Sequence, residues 1–76
     1  MPGKYVIKNN IRTLRFFAHE MTQQELAERI GASRQTVIAV EAGKYSPSLE
    51  MAFRIADTFE VKIEDVFTYE VIDESK

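Results

Sequence analysis

Cysteine is absent from this 76-residue sequence, and histidine occurs once, as His19. The lack of cysteine excludes a disulfide framework, a thiolate metal site and a cysteine nucleophile. His19 has no second histidine and no carboxylates at metal-ligand spacing, so a surface histidine is favoured over a metal ligand. The acidic residues follow ordinary helix-surface spacing and supply no catalytic constellation. We therefore expect no enzymatic activity, no metal, no cofactor and no small-molecule ligand.

Long apolar runs are missing as well. No stretch approaches the length of a membrane span, and residues 1–8 lack the apolar centre of a signal peptide. We expect a cytoplasmic protein without a membrane partner. Seventy-six residues, 45% of them hydrophobic, allow one domain with one small core of marginal independent stability. A partner subunit would add stability.

Positive charge is scarce, since the formal net charge is -2, which argues against nucleic acid at first sight. The charges are unevenly distributed. Residues 1–49 contain seven basic and four acidic side chains, a balance of +3, whereas residues 50–76 contain three basic and eight acidic ones, a balance of -5. Such a chain can approach phosphate with its first part, while the acidic part limits non-specific DNA binding.

Residues 22–45 show the clearest local pattern, that of two short helices joined by a tight turn. Thr22 and Glu25 match the S/T-x-x-E capping box that begins a helix. Gly31 is suited to the left-handed conformation that ends one, and Ser33 is a second N-cap two residues later. A buried stripe is predicted between them at Leu26, Ala27 and Ile30.

The second helix of this pair, predicted from Arg34 to Ala42, presents polar side chains in its first turn. Arg34 can donate two parallel hydrogen bonds to guanine, Gln35 can pair with adenine, and Thr36 offers a hydroxyl and a methyl group. Docking in a major groove places this end of a helix deepest. Ile38 has two interpretations, partial burial against the first helix or an apolar contact with thymine. The pattern predicts a DNA-reading helix.

Several segments resemble the Cro/CI-type (Xre-like) helix-turn-helix regulators. These segments are Thr22-Gln23-x-Glu25-Leu26-Ala27, Gly31-x-Ser33-Arg34-Gln35-Thr36-Val37, Val40-Glu41-x-Gly43-Lys44 and Pro47-Ser48-Leu49. The resemblance covers about residues 11–67. It implies an all-α fold, a five-helix lambda-repressor-like DNA-binding domain in residues 10–67, with the helix-turn-helix proper at 22–42. The β-prone residues that follow add a short C-terminal β-strand. The resemblance also implies a sequence-specific regulator of transcription, a repressor, that binds double-stranded DNA.

The same resemblance implies individual roles. Ala39 joins the base-facing set, although its methyl group reaches at most a thymine methyl. Contacts to the DNA backbone are implied for four residues, Gln23, Ser33, Lys44 and Tyr45. Arg15 and Glu41 are implied to form a largely buried ion pair, the alternative being two surface charges that never meet. Arg15 lies eight residues before Gln23 where the family has seven, so the first helix or its exit loop should contain one extra residue.

A protein-interaction role on the same fold is the alternative function, as in an antitoxin or a transcriptional coactivator. That class generally needs an added tail or domain, and it gives no reason for a polar reading-helix face. DNA binding is therefore preferred.

Three further helices are predicted around this pair. Asn9 or Asn10 can cap the first, and Ser48 caps the fourth. The predicted core positions are Ile11, Leu14, Phe17 and Ala18 in the first helix, Leu49, Ala52, Phe53, Ile55, Ala56 and Phe59 in the fourth, and Val61, Ile63, Val66 and Phe67 in the short fifth.

The two ends of the chain are β-prone. Residues 1–9 are predicted as an arm or a short strand, and residues 68–76 as a strand followed by a polar tail. A lone strand leaves backbone groups unpaired, so this one should pair either with residues 5–7 or with the same segment of a second chain. We expect a homodimer, because one small helix-turn-helix discriminates a DNA site poorly. Its predicted interface is Phe67, Tyr69, Val71 and Ile72.

Overall fold

The computed structural model describes residues 5–71 as five helices and a two-stranded sheet. In chain order the elements are β1 (Tyr5–Asn9), α1 (Ile11–Phe17), α2 (Gln23–Ile30), α3 (Arg34–Glu41), α4 (Leu49–Thr58), α5 (Ile63–Val66) and β2 (Phe67–Val71). The predicted fold class, five helices followed by a short strand, is confirmed. Within these residues, no helix has the length and apolar character needed to cross a bilayer.

The helix starts follow the predicted capping residues. The Thr22 hydroxyl accepts a hydrogen bond from the backbone N–H of Glu25 at 3.0 Å, and the Glu25 carboxylate accepts from the N–H of Thr22 at 2.8 Å. Ser33 and Ser48 cap α3 and α4 through their hydroxyl oxygens, each at 3.1 Å from the amide nitrogen three residues on. Each cap satisfies an amide that lacks a partner within its helix.

The helix ends also follow local chemistry. Gly31 adopts the predicted left-handed conformation, with φ at 74°. Gly43 has φ at 77°, its N–H donates to the carbonyl of Val40, and the next N–H, that of Lys44, donates to the carbonyl of Ala39. This is the hydrogen-bond pattern of a Schellman motif, which ends α3 sharply and turns the chain toward α4.

The core lies among the five helices and is built from small and branched apolar side chains. The buried members are Ile11, Met21, Leu26, Ala27, Ile30, Val37, Val40, Ala52, Ile55, Ala56 and Val66. Three predicted core positions are wrong: Phe17, Leu49 and Phe53 are exposed. They lie at the edge of the apolar stripe on α1 and α4, and no helix or strand within residues 5–71 covers them.

Strands β1 and β2 pair with each other in antiparallel register. Tyr5 lies opposite Val71, Ile7 opposite Tyr69 and Asn9 opposite Phe67. The first strand is longer than the predicted residues 5–7, and the second has a partner within its own chain. Of the two pairings predicted for the C-terminal strand, the structure contains the one with residues 5–7 of the same chain.

The connection between α1 and α2 is irregular. Helix α1 ends at Phe17, and His19 and Glu20 both adopt left-handed backbone conformations, with φ at 59° and 56°. The carbonyl of Arg15 accepts from the N–H groups of both Ala18 and Met21. The chain therefore changes direction in this tight exit loop between α1 and α2. The expected extra residue before Gln23 stays a prediction.

Candidate nucleic-acid interface

Helix α3 packs one side against the core and exposes its first turn to solvent. Val37 and Val40 are buried in the core, whereas Arg34 and Gln35 in the first turn are exposed. Thr36, Ile38 and Ala39 are half-buried. Part of the Ile38 side chain is covered and part is accessible, so its contact with thymine stays a prediction. The exposed part of α3 is its N-terminal turn.

The start of α3 is also fixed by side-chain hydrogen bonds. The Ser33 hydroxyl lies 3.0 Å from the Thr36 hydroxyl and accepts from the Thr36 N–H at 3.1 Å. If the Thr36 hydroxyl is the donor of the 3.0 Å contact, the O–H of Ser33 stays free to donate to another acceptor. The long side chains of Arg34 and Gln35 are the exposed groups of this turn, beside the half-buried Thr36.

Arg15 and Glu41 meet across the domain. Arg15 Nε donates to Glu41 Oε2 at 2.6 Å, and Arg15 Nη2 donates to Glu41 Oε1 at 3.0 Å. A third donor, Arg15 Nη1, reaches the carbonyl oxygen of Met21 at 2.8 Å. The guanidinium thus joins α1, the exit loop and the last residue of α3 in a two-pronged geometry that only arginine provides.

Gln23, the first residue of α2, belongs to the same cluster. Its side-chain Nε2 donates to Glu41 Oε1 at 3.2 Å. One carboxylate therefore receives donors from α1 and α2 and holds both against α3. The Gln23 amide has two N–H groups, and the contact with Glu41 uses one of them.

Arg12 was not singled out from the sequence, yet it lies at the same surface. It lines an open groove of about 490 Å³, whose other lining residues are Arg15, Thr22, Gln23, Gln24, Arg34 and Glu41. Arg12 and Arg34 are exposed cations beside the N-terminus of α2, a combination that attracts anions. The sequence signal was the placement of Arg12 three residues before Arg15, which puts both on one side of α1.

The loop after α3 places Lys44 and Tyr45 in solvent. The Schellman motif at Gly43 fixes the direction in which this loop leaves the helix. Asn9 supports it from the other side, because its Nδ2 donates to the carbonyl of Val40 at 3.1 Å and lies 3.4 Å from that of Glu41. Asn9 Oδ1 also accepts from the N–H of Ile11 at 3.1 Å, whereas Asn10 makes no side-chain cap.

The predicted dimer residues are placed differently from one another. Phe67 packs against the core, and the ring of Tyr69 stacks on that of Tyr5 with centroids 4.7 Å apart. Val71 is exposed, and Ile72 lies outside the described residues. Phe67 and Tyr69 thus have contacts within their own chain, and the role of this set in a dimer stays a prediction.

No group of three or more His, Asp or Glu side chains within residues 5–71 is arranged to hold a metal ion.

Comparison with known proteins finds helix-turn-helix proteins. The family model described as helix-turn-helix matches residues 11–66, from the start of α1 to the end of α5. An uncharacterized helix-turn-helix-type transcriptional regulator of Methanocaldococcus jannaschii is 55% identical over 64 residues, which cover 84% of this chain and 96% of that protein. One from Bacillus subtilis is 45% identical over 65 residues, again 84% of this chain and 96% of the relative.

A solved structure is similar in fold. The crystal structure of a candidate DNA-binding protein from Bacteroides fragilis matches with a TM-score of 0.71 and 25% sequence identity. The match covers 83% of this chain and 100% of that one.

Proposed function

Because this chain belongs to the Xre-like helix-turn-helix family of DNA-binding transcriptional regulators, we propose that it is a repressor that binds a two-fold-related operator as a homodimer. The observation that carries the proposal is the presentation of α3. Its first turn exposes Arg34 and Gln35, while the core and the cluster at Glu41 fix its other side. A reading helix held in this way loses little freedom on binding DNA.

Base readout is assigned to the first turn of α3 and the positions next to it. Arg34 pairs with guanine and Gln35 with adenine, each through two hydrogen bonds to the base edge in the major groove. The methyl group of Thr36 and the accessible parts of Ile38 and Ala39 contact thymine methyl groups. Since these three are short and half-buried, discrimination depends mainly on Arg34 and Gln35.

Backbone contacts surround the reading helix and set its register. Gln23 uses its second amide N–H, and Ser33 its hydroxyl, at the N-termini of α2 and α3, where helix dipoles favour phosphate. Lys44 and Tyr45 supply contacts from the exit loop. Arg12 adds a cation on the groove that Gln23 and Arg34 also line.

A homodimer is proposed because two reading helices about one duplex turn apart, roughly 34–36 Å, multiply the discrimination of one. Occupation of an operator that overlaps a promoter then excludes the transcription machinery. We place this activity in the cytoplasm, because the relatives come from archaea and bacteria, whose DNA lies there.

Selection of binding sites from random duplex DNA tests the proposal. We expect a consensus of two inverted half-sites whose centres lie about one helical turn apart. A promoter carrying this consensus should lose expression when the protein is produced in the same cell. Enrichment of no sequence would contradict DNA readout, a single unrepeated half-site would contradict the dimer, and a rise in expression would contradict repression.

A further inference from the structure

The two-stranded sheet is amphipathic. Residues opposite each other in an antiparallel pair point to the same face, so Tyr5, Ile7, Tyr69 and Val71 share one face with Phe67 and Asn9, whose amide is bonded to the end of α3. The other face has Val6, Lys8, Thr68 and Glu70, with Lys8 Nζ 3.5 Å from Glu70 Oε1. One face is thus apolar and uncharged, and the other carries the charges.

The apolar face of the sheet continues onto the start of α4. A recess of about 330 Å³ is lined by Ile7, Pro47, Leu49, Ala52, Ile63 and Phe67. Leu49 remains 70% exposed at its rim, and Phe53, one helical turn later, is 54% exposed. We call the exposed side chains on the two sides of this recess the apolar face: Tyr5, Ile7, Leu49, Phe53, Tyr69 and Val71.

We propose that the apolar face is the contact between two copies of this chain. The inference rests on the homodimer of the proposed function and names its surface. It replaces edge-to-edge pairing of two C-terminal strands by packing of one apolar face on its two-fold mate. Edge pairing leaves the recess and Leu49 uncovered, whereas face packing covers them.

The exposed area favours a second copy as the occupant. The six residues leave roughly 600 Å² accessible on each copy, so packing two copies would bury roughly 1,200 Å² in total, the lower end of the range for stable interfaces. A two-stranded sheet alone is also marginal in water, so covering its apolar face stabilises the fold itself.

Charge points to the same occupant. The apolar face contains no ionised side chain, so an acidic or basic partner finds no counter-charge on it. In a two-fold contact each residue meets the same surface on the partner, and an uncharged face meets its copy without opposing like charges. None of the eight acidic side chains of residues 50–76 belongs to the apolar face.

The position of the face suits a dimer that reads DNA. Its residues lie on β1, β2 and α4 and leave the first turn of α3 free. Asn9, at the end of β1, donates to the carbonyl of Val40 near the C-terminus of α3. Because this hydrogen bond links β1 directly to α3, a dimer contact made by the sheet also sets the separation of the two α3 helices.

Sedimentation equilibrium of the full chain tests the assignment. Leu49→Glu places a charge in the apolar face without touching the core or the sheet, and Tyr69→Glu does so from the sheet. Each should raise the dimer dissociation constant by about 100-fold, as expected for central contacts of an interface. Phe17→Glu is the matched control, because Phe17 is 76% exposed but lies on α1, and it should leave the constant within about 3-fold of wild type.

Circular dichroism and half-site DNA separate the outcomes. Leu49→Glu should keep the wild-type helical spectrum and wild-type affinity for a duplex carrying one half-site, since α3 is unchanged. A Leu49→Glu protein as dimeric as wild type would overturn the apolar face while leaving the homodimer in place. A wild-type chain that is monomeric throughout would overturn the homodimer itself, and the face with it.

Discussion

Within residues 5–71, two ion pairs join separate elements, and their environments differ. One ties α1 to the helix-turn-helix, and the other joins the two strands of the sheet. The side chains of Arg15 and Glu41 retain 15% and 10% exposure, whereas those of Lys8 and Glu70 retain 60% and 47%. The first pair is bidentate and shares its carboxylate with Gln23, and the second is a single contact at 3.5 Å. Burial makes the first pair an organising contact of the domain, while water screens the second.

The same difference runs through both regions. In the helix-turn-helix, each helix begins at a capping side chain and ends at a left-handed glycine or a Schellman motif. In the sheet, two five-residue strands are joined by backbone pairing, and most of their side chains are exposed. The reading element is fixed by the fold of one chain, whereas the sheet keeps an uncovered face.

Removing one charge from each pair gives the largest contrast. Glu41→Ala should lower the free energy of unfolding by about 3–5 kcal/mol, because it leaves the Arg15 guanidinium partly buried without its partner. Glu70→Ala should lower the free energy of unfolding by less than about 1 kcal/mol, since the charged groups of Lys8 and Glu70 already face water. Urea unfolding followed by circular dichroism measures both.

A double-mutant cycle sharpens this result. Arg15→Ala with Glu41→Ala should cost less than the sum of the single variants, because neither charge is then left alone. Strict additivity would show that the two side chains do not interact in solution.

Truncation of a base-reading side chain gives the next effect. Gln35→Ala should weaken binding to the selected consensus by about 1–3 kcal/mol and relax the preference at one base pair. Glu70→Ala, in the sheet, should leave affinity unchanged. Competition binding with consensus and scrambled duplexes provides the measurement, and equal losses on both sequences would remove Gln35 from the base-reading set.

One chemical change made in both regions gives a smaller effect. Thr22→Val removes a hydroxyl that caps α2 and should cost about 1 kcal/mol of folding stability. Thr68→Val removes a hydroxyl on β2 that bonds only the side chain of Glu70, and it keeps the β-branched shape. We expect a change of less than about 0.5 kcal/mol there, within the range of ordinary surface substitutions. Thermal unfolding that is equally affected by both variants would contradict the contrast.

Two lysines provide the mildest comparison. Lys44→Ala, in the loop after α3, should weaken binding to all sequences alike and lower the salt dependence by about one ion per subunit. Lys8→Ala removes a charge that faces Glu70, so its salt dependence should match wild type. Binding titrations at two or more salt concentrations compare them, and an equal slope for Lys44→Ala and wild type would exclude Lys44 from the phosphate contacts.

Much of the fold was predictable because it depends on near neighbours in sequence. The caps at Thr22, Ser33 and Ser48 each act over three residues, and the turn at Gly31 over one. The exposure of Phe17 and Leu49 was not predictable, because periodicity indicates which way a helix faces and not how much of that face its neighbours cover.

The candidate site divides in the same way. Arg34 and Gln35 were identified by their place in the first turn of a capped helix, and the structure leaves both exposed. Arg12 was missed because its meaning depends on a groove formed by α1, α2 and α3 together. Asn9 was predicted as a cap, but its contacts with the end of α3 span 31 and 32 residues and have no local signature.

The sequence by itself determined where α2, α3 and α4 begin, where α2 ends and which residues form the helix-turn-helix, since hydrogen bonds reaching three or four residues decide those features. The resemblance also named Arg15 and Glu41 as partners. Only the tertiary structure decided that both meet Gln23 at one carboxylate and that β2 pairs with β1. These contacts require distant segments to be packed at a fixed distance and angle, and that arrangement is a property of the whole core.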